Sequence, residues 1–310
     1  MRVTALILTS GSKDRIPYIE VLIKSIAKQT VKPHEVVVAT ETSGNLINDL
    51  LRKYVPDIEH KVIETGYWNK CLTANKAILR SSGDVVFLLE DDLYLTPNFI
   101  EEVLKTFREY PSTACVYTNC IWVFPEGAGT RGNGIVSDLA RVLRKLTIHN
   151  SALPRFVRKI SDHLIEVPVF TMSVACKKEV LLRVGLYDMN VNEPILGEDY
   201  DLALRIVKAG YKIIQNTKAV SYHFTKQVSK GVRRYGEKPR ALMGTYASEV
   251  YFMTKNRDLL GTGNVIMHMV YRIIESVAWG IRARNPLLLI YGPAGSLMGF
   301  IKGIAYKYKN

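Results

Sequence analysis

Apolar and polar positions follow two rhythms along the first 120 residues. Short apolar runs at Val3–Thr9, Glu35–Thr40, 60–63, 85–89 and 114–118 predict strands. Between them apolar positions recur at helical spacing: Ile19, Leu22, Ile23 and Ile26 share one face, and Ile47, Leu50 and Leu51 another. Thr96-Pro97 predicts a helix start, with threonine as cap and proline in the first turn. Strands alternating with helices predict an α/β fold: a mainly parallel central sheet with helices on both faces. Ligands of such sheets bind beyond the carboxyl ends of the strands.

The rhythm breaks across 121–165. Gly127, Gly129, Gly132 and Gly134 predict a loop, and Leu139, Val142, Leu143 and Leu146 then recur at helical spacing. Regularity resumes with a strand at 167–175, a helix at 177–184 ended by Gly185, and a helix at 200–209 ended by Gly210. Strands around 211–215 and 219–223 follow. Residues 264–308 are two long apolar stretches parted by Arg282, Arg284 and Pro286. The second has the length of a bilayer-crossing helix, with only Lys302 charged. Its Gly295, Gly299 and Gly303 have the spacing that lets membrane helices pack closely. His268, Arg272 and Glu275 interrupt the first stretch and need partners in an apolar setting. The alternative is a soluble helical hairpin. The chain therefore divides into 1–260, carrying a basic insertion at 121–165, and a helical membrane-association segment at 261–310.

At 310 residues, with 47% hydrophobic and 23% charged positions, the chain is an ordinary globular protein. Its net charge of +13 calls for a polyanionic partner or surface. The basic residues concentrate in 131–160, which includes Arg141, Arg144 and Lys145, and in 226–240, which includes Arg233 and Arg234. The N-terminus reads as a first strand, not a signal peptide. Cys71, Cys115, Cys120 and Cys176 fit neither a zinc site nor a disulfide framework, which points to a reducing, cytoplasmic setting.

Three motifs carry chemistry. In VVFLLEDDL an apolar strand ends in Glu90, Asp91 and Asp92. Adjacent carboxylates repel unless a cation or hydrogen-bond donors neutralise them. Hard oxygen ligands beside a diphosphate suit Mg2+ or Mn2+, against the alternative of a solvated acidic turn. In GEDYDLALRI, Glu198 and Asp199 open a helix, where a carboxylate serves either as an N-terminal charge or as a general base. His223 ends a strand-like run before a basic stretch, a place for a structural histidine or for one completing a metal shell.

In this order the motifs resemble the inverting nucleotide-sugar glycosyltransferases of family 2, which have the GT-A fold. The resemblance covers roughly residues 3–260. ILTSGSKDR is similar to the family's first strand and nucleotide loop, and SIAKQT with EVVVATE to its first helix and second strand. TANKAILRSSGDVVFLLEDD resembles the approach to the metal motif, GLYDMNVNEPILGEDYDLALRIVKAGYKI the acceptor side, and YFMTKNRDLL the tail.

The resemblance implies that Asp92, with Asp91, holds the metal on the donor diphosphate and that Glu90 contacts ribose or supports the pair. It implies Asp199 as base with Glu198 beside it, His223 in the metal or diphosphate shell, and Thr9 and Glu41 in the nucleoside pocket. The usual acidic pair after the second strand here reads Thr40-Glu41, which leaves the nucleotide open.

The expected enzyme is an inverting glycosyltransferase using Mn2+ or Mg2+. GDP-mannose is the favoured donor, by loose similarity to lipid-directed mannosyltransferases. The acceptor is a lipid-linked phosphate or glycan, met by Arg141, Arg144, Lys145, Arg233 and Arg234. The protein is expected at a membrane, with its catalytic domain on the cytoplasmic side, and nucleic acid is not the expected partner. The competing classes are a nucleotidyltransferase of related fold and a non-catalytic basic membrane or nucleic-acid adaptor.

Overall fold

A computed structural model describes residues 1–67, 69–123, 153–171, 173–190, 197–224, 239–282 and 284–306. The chain separates into two compact units. The first comprises Met1–Phe124, Val157–Met189 and Leu202–Thr225; the second comprises Pro125–Phe156, Asn190–Asp201 and Lys226–Asn310.

The first unit is a mixed, mostly parallel sheet with helices. Strands β1 (Val3–Thr9), β2 (Glu35–Thr40), β3 (Glu59–Glu64) and β4 (Val85–Glu90) run parallel in the order β3-β2-β1-β4. β1, β2 and most of β4 are buried, as continuous apolar runs in covered parallel strands should be. Helices α1 (Ile16–Ala27), α2 (Gly44–Tyr54) and α3 (Lys70–Arg80) link them. Ile19, Leu22, Ile23 and Ile26 of α1 are fully buried in the core, with Ile47 and Leu51 of α2.

Beyond β4 the sheet turns mixed. Strand β5 (Leu93–Leu95) follows the acidic turn, and α4 (Phe99–Glu109) leads to β6 (Thr113–Val123). Strands β7 (Arg158–Lys159) and β8 (Leu164–Glu166) lie at the far edge. Strand β9 (Val174–Lys177) inserts antiparallel between β4 and β6 and is followed by α5 (Lys178–Arg183). Helix α6 (Glu198–Lys208) precedes β10 (Lys212–Phe224), which pairs with β6, β5 and β8.

Four local expectations change. Helix α4 starts at Phe99, after Pro97, because the Thr96 hydroxyl and N–H both donate to Val220 O (2.9 and 3.1 Å) and the side chain does not cap. The strand expected at 167–175 is restricted to β9, since Pro168 brings no N–H to a ladder and Ser173 takes a positive φ. The two strands expected at 211–215 and 219–223 are one, β10, with an irregularity between Asn216 and Val220. Asn216 stabilises it by donating to Glu102 O (3.1 Å) and Thr106 Oγ1 (2.9 Å). Finally, Cys115 and Cys176 form a disulfide, because antiparallel β9 sets them directly opposite on β6, with Cα atoms 4.1 Å apart. The cysteines therefore no longer argue for a reducing compartment.

In the second unit α7 (Pro239–Lys255), α8 (Arg257–Leu260), α9 (Thr262–Arg282) and α10 (Pro286–Ala305) follow one another. The glycine stripe of α10 packs on α7 of the same chain. A Cβ at Gly295 would stand 2.3 Å from Met243 O, and one at Gly299 2.3 Å from Ala247 O, so only glycine permits this approach. The charges of α9 are paired: His268 Nε2 lies 3.3 Å from Glu249 Oε1, and Arg272 contacts both Glu249 and Glu275 (2.6 Å for the latter). Among the described residues α10 alone is long and apolar enough to cross a membrane, with mean hydropathy 1.4.

Candidate active site

The parallel strands deliver Thr9, Thr40 and Glu90 to one carboxyl edge, in the register Thr9↔Thr40 and Leu8↔Glu90. At that edge β4 gives way to a tight turn through Asp91 and Asp92, and the chain re-enters as β5, antiparallel to β10. The register sets His223 opposite Leu93 on one side and Trp122 on the other. Phe224 N donates to Asp92 O (2.9 Å) and ties the turn to the end of β10. A histidine distant in sequence thereby stands beside the acidic triplet.

The triplet splits. Glu90, Asp92 and His223 each direct one possible ligand atom to a common region, all within 4.8 Å of one another. His223 Nε2 is 3.0 Å from Asp92 Oδ1 and 3.8 Å from Glu90 Oε2. Asp91 takes other partners: Thr9 Oγ1 donates to its Oδ2 (2.5 Å), as does Arg15 Nε (2.9 Å). Glu90 ends β4 and the chain turns through Asp91 and Asp92, so the three carboxylates do not share one direction.

Two cations complete the surroundings. Arg15, at the cap position of α1, also reaches Asp92 Oδ2 with Nη2 (2.8 Å). Lys70, the first residue of α3, donates to Glu90 Oε1 (3.0 Å). Burial alone would raise the Asp92 carboxyl, but His223 and Arg15 outweigh it and hold it below the ordinary aspartate range. Asp92 is therefore ionised at neutral pH.

The residues fit a hard divalent cation. His223 and Asp92 approach closely without hydrogen-bond alignment, and neither Asp92 Oδ1 nor His223 Nδ1 has a hydrogen-bond partner among the described residues. A buried carboxylate oxygen left so is costly unless something else neutralises it. Two carboxylates and an imidazole form a donor set suited to Mn2+ or Mg2+. The Trp122 ring meets that of His223 edge-on, centroids 4.4 Å apart, and restricts its rotation.

Other expected site residues fall as follows. Glu41 follows β2, and its carbonyl accepts from Gly66 N (3.1 Å). Glu198 and Asp199 occupy the first turn of α6, which belongs to the second unit. Arg141, Arg144, Lys145, Arg233 and Arg234, and the helix expected at 138–146, lie outside the described residues. Arg15 and Lys70 were missed as site residues. Both stand at the starts of helices that follow strand ends, the signal that could have marked them.

Comparison with known proteins matches this geometry to a class. Residues 12–165 match the family described as Glycosyl transferase family 2. An uncharacterised glycosyltransferase of Bacillus subtilis, YwdF, is 28% identical over 133 residues, covering 42% of this chain and 47% of that protein. The chain thus spans about half the length of this relative. The glucosyl-dolichyl phosphate glucuronosyltransferase of Haloferax volcanii is 23% identical over 235 residues, 72% of this chain and 69% of that one. The mannosyltransferase PcManGT of Pyrobaculum calidifontis, solved with GDP-Man and Mn2+, shares the fold with a TM-score of 0.52 at 20% identity. That likeness covers 98% of this chain and 86% of that one. Residues 12–165 are thus similar to the family 2 glycosyltransferases, and the fold is of GT-A type.

Proposed function

We propose that this enzyme moves a sugar, with inversion, from a nucleotide diphosphate donor to a lipid-linked acceptor. The observation that carries the reading is the convergence of Glu90, Asp92 and His223 at the carboxyl edge of the parallel strands. These three residues would hold Mn2+ or Mg2+, and the bound cation would neutralise the departing diphosphate. Asp91 takes a supporting role: it fixes Arg15 and Thr9 at the mouth of the nucleotide loop. Arg15 and Lys70 orient the carboxylates and offer positive charge to the phosphates. Asp199 accepts the acceptor's proton, and Glu198 flanks it.

PcManGT, named for its mannosyl transfer and solved with GDP-Man and Mn2+, supports the cation and favours GDP-mannose as donor. The Haloferax relative, named for glucuronosyl transfer to glucosyl-dolichyl phosphate, supports a lipid-linked acceptor and a protein working at a membrane. The deciding experiment incubates the enzyme with a panel of nucleotide sugars, with and without Mn2+. Metal-dependent release of nucleoside diphosphate supports sugar transfer. Release of pyrophosphate from a nucleoside triphosphate and a sugar phosphate would instead make it a nucleotidyltransferase.

A further inference from the structure

We infer that Lys255 and Asn256 are positioning residues that clamp Asp201 and thereby fix the first turn of α6, which presents Asp199. The inference rests on the reading of Asp199 as base. All the groups involved belong to the second unit.

Lys255 is fully buried, and its Nζ lies 3.0 Å from both Oδ1 and Oδ2 of Asp201, itself 1% exposed. A buried ammonium is tolerated only when paired and well bonded, and this one has in addition the Tyr306 ring at 4.3 Å. Asn256 Nδ2 donates to Asp201 Oδ1 (3.0 Å) and to Phe252 O (2.8 Å), which locks the amide orientation. Beside these contacts Phe252 stacks on Tyr200, centroids 6.1 Å apart and planes within 14°. Phe252 also fills the space at Gly197: a Cβ there would stand 2.3 Å from its ring, at a φ of +88° that already favours glycine.

The two partners match in spacing. Phe252 and Lys255 of α7 and Asn256, which follows it, are i, i+3 and i+4, as are Gly197, which precedes α6, and Tyr200 and Asp201 within it. One face of each meets the other. Asp199 is two residues from Asp201, about 200° around the helix, so holding Asp201 presents Asp199 on the opposite side. The bond from Asp201 N to Gly197 O (2.9 Å) closes the turn between them. A general base needs such fixing, since a misplacement of about 1 Å costs roughly 100-fold in rate.

The test uses full-length Lys255→Met, Lys255→Arg and the double variant Asp201→Asn/Lys255→Met. The double variant leaves no unpaired buried charge and so keeps a folded protein if Lys255→Met alone does not. Hydrogen–deuterium exchange is measured on the peptide spanning 197–208, Mn2+-GDP affinity by calorimetry, and kcat and KM with the nucleotide sugar found by the panel. We expect at least tenfold faster exchange confined to 198–201 and at least a tenfold fall in kcat. Mn2+-GDP affinity and donor KM should hold within about twofold, with partial recovery of kcat in Lys255→Arg. Unchanged exchange in that peptide would overturn the clamp. So would a uniform rise in exchange across the chain with loss of Mn2+-GDP sites, the mark of a merely structural role. If Asp199→Asn keeps full turnover, the base reading fails, while the exchange result still decides the clamp.

Discussion

His223 Nε2 stands 3.0 Å from Asp92 Oδ1, although one residue ends β10 and the other closes the turn after β4. The contact exists because β5 runs back along β10 and brings Leu93 opposite His223. A local motif and a remote histidine are thereby joined into one group of ligand atoms.

Removing either partner should weaken metal binding, with unequal force. Asp92→Ala should abolish Mn2+-dependent nucleotide diphosphate binding, since it removes the buried charge that the site is built around. His223→Ala should lower Mn2+ affinity by about 10–100-fold, at least the loss common for altered outer-shell partners. Calorimetric titration with Mn2+ and GDP distinguishes the two. Wild-type affinity in Asp92→Ala would remove the metal assignment.

Arg15 gives a complementary prediction. Its guanidinium bonds to both Asp91 and Asp92. Taking away one partner of a buried pair costs about 3–5 kcal/mol because the other charge stays uncompensated. Arg15→Met should therefore lose thermal stability without metal and regain much of it with Mn2+. The shift on adding Mn2+ should exceed that of the wild type in a melting experiment.

The strands, the acidic triplet and His223 were readable because each is announced locally, by an apolar run, a charge cluster or a strand end. Arg15 and Lys70 were not, since their roles depend on helix starts meeting a strand end from elsewhere in the chain. The Cys115–Cys176 pair was missed for a related reason: only the antiparallel insertion of β9 beside β6 sets the two opposite each other. The glycine stripe of α10 was legible as a close-packing seam, but its partner, α7, was not. Spacing declares that something approaches; topology decides what.

Asp199 separates two acceptor chemistries. If the acceptor is a sugar hydroxyl, Asp199→Asn should lower kcat by about 10²–10⁴-fold, the usual worth of a general base. If it is a lipid phosphate, ionised already, the loss should be under about tenfold. Either way Mn2+-GDP affinity should be retained, and its loss would move Asp199 to the donor site.

Glu35 governs acid stability away from the site. Burial would raise its carboxyl, but Lys61 Nζ at 2.8 Å and Thr4 Oγ1 at 2.6 Å, with Ser82 N, lower it from 4.5 to about 2. A carboxyl lowered on folding stabilises fully above its unfolded value. That stabilisation fades as pH falls from about 4.5 to about 2. It amounts to roughly 3 kcal/mol at neutral pH. Glu35→Gln should lose about that much in urea denaturation at pH 7, and the two proteins should converge near pH 2. An equal gap at both pH values would show that packing, not charge, sets the difference.

The last prediction concerns the membrane. Ile266, Val270, Ile274 and Ile281 of α9 and Ile290, Leu297, Ile301 and Ile304 of α10 are all exposed, at helical spacing. His268, Arg272 and Glu275 of α9 are meanwhile occupied with Glu249 and one another. An apolar outer face of this kind suits a headgroup–acyl boundary. Fourteen basic against four acidic residues in 226–310 favour an anionic one. Cutting the chain near Gly261 would be a poor test, because α10 supplies the seam on which α7 packs. Surface substitutions avoid that difficulty. Ile290→Glu with Ile301→Glu should reduce co-sedimentation with phosphatidylglycerol vesicles at least about tenfold, since each such side chain is worth about 1.5–3 kcal/mol when buried. Melting temperature and Mn2+-GDP affinity should not change, because both positions face away from the α7 seam. Full vesicle binding by the double variant would leave attraction between basic residues and headgroups as its sole cause. Raising the salt concentration would then release the protein completely, whereas an apolar contact would hold it.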